Sequence, residues 1–148
     1  MGEHKLSFDD VAVGDEAPVL THKLTRTDLV KYAGASGDFN PMHHDEEFAR
    51  SAGQTTVFAM GQLSAAMLAR LAADWLGAGA LRSLSVRFTA KVWPGDVLVL
   101  RGTVAGQELV GGERRVAATL EAIRQTDEIV ARGIVTAASD IAVPEAIG

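Results

Sequence analysis

A chain of 148 residues, 47% hydrophobic and 22% charged, is long enough to bury one sizeable core and is read as one domain. Its formal net charge of −5 argues against bulk binding to nucleic acid or to an anionic membrane, so an anionic ligand would need a local basic patch. The absence of cysteine excludes disulfides, thiolate nucleophiles and Cys-ligated zinc, and fits a reducing cytoplasm.

Met1 to Lys5 shows no basic region followed by an apolar run, so no signal peptide is expected. Phe8 to Asp15 reads as an opening segment closed by a Gly-Asp turn. Ala17 to Leu24 reads as a strand, with Val19 and Thr21 sharing a face. Thr25 followed three residues later by Asp28 has the form of a capping box, with Asp in place of the commoner Glu. Leu29, Tyr32, Ala33 and Ser36 then recur at helical spacing, predicting a helix from about Arg26 to Ala35. Gly37 tolerates positive φ and stops it.

The stretch Ser36-Gly37-Asp38-Phe39-Asn40-Pro41-Met42-His43 sets a carboxylate and an imidazole five residues apart. Asn40-Pro41 is a turn pair, and Pro41 drives Asn40 out of the helical region. Two turns over this interval can fold the loop back and aim Asp38 and His43 into one cavity, as an acid/base pair on either side of a small molecule such as water. The Asn40 amide is expected to hold the turn. His44 reads as structural, and His4 and His22 carry no context. Adjacent histidines are poor metal-ligand geometry, so no metal is expected. Tyr32 reads as core or channel wall rather than as an acid or base. Asp45 then caps a short helical segment of acidic first turn, Glu46 to Arg50, which Gly53 breaks.

Ala59 to about Leu76 is rich in Ala and Leu and predicts a long helix of about 27 Å, apolar nearly all round and so buried on most sides. Gln62, Arg70 and Asp74 interrupt it, so it is not a membrane span. Gly61 opens this helix, where unpaired N–H groups and the helix dipole favour negative charge. That suits an oxyanion role, with close helix–sheet packing as the alternative. Met60 and Ser64 flank it as candidate substrate contacts.

Gly77 to Gly79 ends the helix. Leu84, Val86, Phe88, Ala90 and Val92 alternate with Ser83, Ser85, Arg87, Thr89 and Lys91, predicting a strand with one buried face. Pro94-Gly95-Asp96 is a turn. Val97 to Ala105, Arg115 to Arg124 and Ile129 to Ala138 are further strands, broken at Gly111-Gly112 and around Gln125 to Asp127. Arg82, Arg87 and Lys91 are candidate contacts for phosphates of a carrier arm, or a solvated sheet face. The tail after Ser139 reads as loose. One helix followed by four strands favours an antiparallel sheet in an α+β domain.

The Ser36 to His43 stretch resembles the signature of the MaoC-like (R)-specific enoyl-CoA hydratases, and Val86 to Asp96 resembles the strand and turn that follow their central helix. The resemblance covers about residues 8–138 and implies a hotdog fold, an antiparallel sheet wrapped around a long helix. It implies that Asp38 and His43 are the catalytic pair and that Gly61 serves an oxyanion. The implied reaction is reversible hydration of a trans-2-enoyl thioester, carried by CoA or an acyl carrier, to a (R)-3-hydroxyacyl thioester. No metal or redox cofactor is implied. A homodimer, or a heterodimer with a related subunit, is expected. Relatives often read His-Gly-Met-Leu where this chain has Met60-Gly61-Gln62-Leu63, and some carry serine where this chain has Ala69. A thioesterase and a non-catalytic partner subunit are the alternative readings.

Overall fold

A computed structural model of the protein describes residues 8–139; the expectations for Met1 to Lys5 and for the tail beyond Ser139 lie outside them. After a single 3-10 turn at Phe8–Asp10, the chain forms β1 (Leu20–Lys23) and α1 (Arg26–Ser36). A 3-10 turn at Pro41–His43 and α2 (Glu46–Ser51) lead into α3 (Gly61–Leu76). Then come β2 (Leu81–Phe88), β3 (Val97–Val110), β4 (Glu113–Arg124) and β5 (Ile129–Ala138).

The five strands form one antiparallel sheet in the order β1-β3-β4-β5-β2. The β3–β4 hairpin closes on Gly111 and Gly112, with φ of 58° and 83°. Two consecutive positive φ values define the type I′ turn that matches strand twist, which explains the paired glycines. β1 is shorter than the sequence predicts. Pro18 has no N–H to give to the ladder, so regular pairing starts at Leu20, although Ala17 N–H still donates to the Gly102 carbonyl at 2.9 Å. Val19 and Thr21 share a face as expected, and it is the solvent face; Leu20 and Leu24 turn inward.

α3 packs against β2, β3, β4 and β5. Leu63, Leu68, Leu71, Ala72 and Leu76 meet Leu98, Leu100, Ala118, Leu120, Ala122, Val135 and Ala137 in the core. Each buried leucine contributes about 1.5–3 kcal/mol relative to exposure. The sheet floor is built from small residues so that the helix can sit close. At Gly102 an added Cβ would lie 2.9 Å from the Trp75 ring and 3.1 Å from Leu120. α3 is covered on most sides, as expected, with Gly61, Gln62, Ala66, Arg70 and Asp74 exposed along one stripe.

The strand predicted through Val92 ends at Phe88. Its supposedly buried face is half open, with Leu84 36% and Phe88 43% exposed. β2 is the last strand of the sheet and pairs only with β5, so its apolar residues lie at the rim, where α3 covers them only in part.

Candidate functional site

Local rules set the first half of the site. Thr25 and Asp28 form a complete capping box: Thr25 Oγ1 accepts from Asp28 N–H at 3.2 Å, and Asp28 Oδ2 accepts from Thr25 N–H at 2.7 Å. His22 Nε2 lies 3.1 Å from the same Asp28 oxygen. Burial pushes the Asp28 carboxyl up, but the Thr25 backbone and hydroxyl hydrogen bonds and the His22 contact outweigh it, and the group is held below its ordinary value. α1 therefore starts at a defined point. It stops where Gly37 takes φ 74° and donates its N–H to the Ala33 carbonyl.

The loop then folds back on itself. Asn40 N–H donates to Asp38 Oδ1 at 3.3 Å, and Asn40 Oδ1 accepts from Met42 N–H at 3.0 Å. His43 N–H donates to the Asn40 carbonyl at 3.0 Å, closing a single 3-10 turn with Pro41 at its start. Asn40 therefore acts as a turn former through its side-chain oxygen, and its effect on the pair is positional.

The turn brings His43 Nε2 to 3.7 Å from Asp38 Oδ2. The His43 side chain is 9% exposed and that of Asp38 44%, so the pair has one dry member and one member open to solvent. On its far side, His43 Nδ1 lies 2.7 Å from the Phe58 carbonyl oxygen. A carbonyl only accepts, so Nδ1 carries the proton, and the lone pair of the neutral ring sits on Nε2, facing Asp38. The Phe58 ring meets the imidazole edge to face at 5.2 Å between centroids. His44 points elsewhere, its Nε2 3.1 Å from the Phe39 carbonyl.

Phe58 also joins the pair to the second half of the site. Two residues on, Met60 caps α3 with no side-chain hydrogen bond, and the Gly61 and Gln62 N–H groups have no intrahelical partner. Phe58, Met60, Gly61, Ser64, Phe88 and Lys91 are among the residues lining a hollow of about 280 Å³ here. Gly61 is also a point of close packing, because a Cβ there would lie 3.1–3.3 Å from the Phe88 ring. Ser64 is only 4% exposed, and its hydroxyl has no hydrogen-bond partner among the described residues.

Of the sequence-predicted residues, Asp38, Asn40 and His43 share the loop, and Met60, Gly61 and Ser64 share the hollow. Arg87 is set apart: it lines a cavity of about 610 Å³ on the other face of the sheet with Arg132 and Ile134. Arg82 is bound to Glu113 at 2.8 Å and to the carbonyls of Gly79, Ala80 and Leu81. Tyr32 lines a separate hollow of about 440 Å³ with Leu63, Met67 and Leu100. The orienting Phe58 carbonyl is absent from the sequence-derived site. A backbone acceptor carries no side-chain signature, so nothing in the sequence marks it.

Residues 11–126 match the family model of the MaoC like domain. Over 105 residues the chain is 36% identical to the (R)-specific enoyl-CoA hydratase of Rhodospirillum rubrum, covering 67% of this chain and 69% of that one. It is 33% identical over 112 residues to the 3-hydroxybutyryl-CoA dehydratase of Methylorubrum extorquens, covering 74% of this chain and 69% of that one. The unliganded (R)-hydratase of Pseudomonas aeruginosa superposes with a TM-score of 0.78 at 25% identity, over 97% of each chain, and the shared architecture is the hotdog fold.

Proposed function

We propose that this chain, which belongs to the MaoC-like domain family, is a hydro-lyase that reversibly hydrates a trans-2-enoyl thioester to a (R)-3-hydroxyacyl thioester. Hydration of enoyl-CoA in general accords with the names of the relatives. The finer reading rests on one observation, the 3.7 Å gap between His43 Nε2 and Asp38 Oδ2 with Nδ1 pinned to the Phe58 carbonyl. That gap is too long for a direct hydrogen bond and short enough for one water to touch both atoms.

In this reading His43 Nε2 takes a proton from the water as its oxygen adds to C3. Asp38 delivers a proton to C2 on the same face. The pair thus shares one reactive proton, and its two members return to their starting states through solvent on the Asp38 side. Negative charge that builds on the thioester oxygen is met by the free amides at the start of α3, with Gly61 N–H foremost. The thioester itself is the electron sink. A second hotdog chain on the free edge of β2 would cover Leu84 and Phe88 and wall in the hollow beside them.

The test is incubation of purified protein with crotonyl-CoA, following loss of the conjugated-enoyl absorbance and release of free thiol together. Absorbance loss without thiol is the expected result. Thiol release would make the chain a thioesterase, and neither signal would make it a non-catalytic partner.

A further inference from the structure

The polar side chains that line the hollow at the start of α3, Ser64 and Lys91, can both donate a hydrogen bond, and no carboxylate residue is among those lining it. The Gly61 amide has no intrahelical partner. The Ser64 hydroxyl is nearly fully buried and unpartnered among the described residues. The third is Lys91. Its Nζ donates to Gln54 Oε1 at 2.9 Å and stands 5.0 Å from the Phe58 ring centroid. An ammonium has three donors, so this leaves two for a ligand. Arg124 Nη2 donates to the Lys91 carbonyl, so the backbone under this side chain is anchored.

The other two candidate cations for an anionic ligand are unsuited. Arg82 is occupied by Glu113 and three carbonyls, and Arg87 faces the opposite side of the sheet. In a chain of net charge −5, an anionic ligand group needs a local cation, and Lys91 supplies it at the hollow where α3 begins.

We propose that Lys91 and Ser64 form an anion subsite, which binds an anionic oxygen group of the thioester other than the reacting carbonyl. The proposal rests on the hydro-lyase reading and deepens it. The shared chemistry is an acceptor-only oxyanion, either a carboxylate on the acyl part or a phosphate of the carrier. Lys91 acts as a specificity residue, apart from the proton transfers at Asp38 and His43.

Three substrates separate the sources: crotonyl-CoA, which has phosphates; the N-acetylcysteamine thioester of crotonate, which has no anion; and that of fumarate, which has a carboxylate alone. Lys91→Gln should lower kcat/KM on one anion-bearing thioester about tenfold more than on the neutral one. A selective loss on crotonyl-CoA supports a phosphate, and a selective loss on the fumaryl thioester supports a carboxylate. Lys91→Arg should recover most of the preference, and Ser64→Ala should reduce it a few-fold. An equal loss on all three substrates overturns the proposal, because Lys91 would then act through Phe58 on His43; no loss on any of them overturns it too. Wild-type protein that hydrates none of the three removes the hydro-lyase reading alone. The subsite is then read by calorimetric titration with CoA and with fumarate: weaker binding to Lys91→Gln supports it, and equal or absent binding overturns it.

Discussion

Gly61 packs against Phe88 and, in the proposed mechanism, also donates to the substrate; a pair of substitutions can separate the two. Gly61→Ala and Gly61→Pro both add a Cβ, which meets the Phe88 ring at 3.1–3.3 Å. Only proline removes the N–H. The backbone accepts it: Gly61 is the first residue of α3, where proline is well tolerated, and the preceding Met60 has φ −58° and ψ 137°, the extended conformation that proline demands of its predecessor. The steric cost is therefore common to both variants, and Phe88, half exposed at the sheet edge, can yield to it. What differs is one donor, which the proposed mechanism aims at the thioester oxygen. Loss of a single oxyanion donor costs about 10²–10³ in kcat, or about 2.7–4 kcal/mol. We expect Gly61→Pro to hydrate crotonyl-CoA about 10²-fold or more slower than Gly61→Ala, with unfolding midpoints that agree closely. Equal turnover by the two variants would refute the amide's role and leave Gly61 as a packing residue only.

Asp38→Asn and His43→Ala should each lower kcat by about 10²–10⁴-fold without shifting the thermal midpoint of a loop-borne pair by more than a small amount, as read by enoyl absorbance and by calorimetry. Appreciable hydration by either variant would remove the proposed proton transfers. Gly102→Ala should destabilise by about 1–3 kcal/mol in urea unfolding, because its Cβ enters the space of Trp75, Leu120 and Ala17. Thr25→Ala should cost about 1 kcal/mol through loss of the α1 cap. Because the folded-state Asp28 value is depressed, its contribution to stability is present above the ordinary carboxylate value and lost as pH falls through the folded one. The stability gap between wild type and Asp28→Asn should therefore narrow on acidification; a gap that widens would contradict the assignment.

The parts of the site legible in the sequence are those written in local chemistry. Thr25 with Asp28, Gly37, Asn40-Pro41 and Asp45 each announce a cap or a turn through their own side chains, and the structure uses each of them that way. The paired glycines at 111 and 112, read from the sequence only as a break between strands, form a hairpin turn. What periodicity misjudges depends on neighbours far away in sequence. Alternation from Leu84 onward groups Lys91 with Arg87, but β2 ends at Phe88, and past that point the period of two no longer applies. Phe88, Ala90, Lys91 and Val92 consequently all reach the same hollow. Likewise, Leu84 and Phe88 have the pattern of a buried face, yet only strand order decides that they fall at the rim of the sheet.

In the proposed mechanism, the tether from the His43 ring to the Phe58 carbonyl also bears on the reaction run backwards. An imidazole anchored at one nitrogen cannot swivel to offer the other between turnovers. By microscopic reversibility, elimination of water in that mechanism employs the same atoms, in reverse order, as its addition. The hydrogen bond that holds Nε2 toward Asp38 in both directions is accepted by a main-chain oxygen, which substitution of the Phe58 side chain leaves in place.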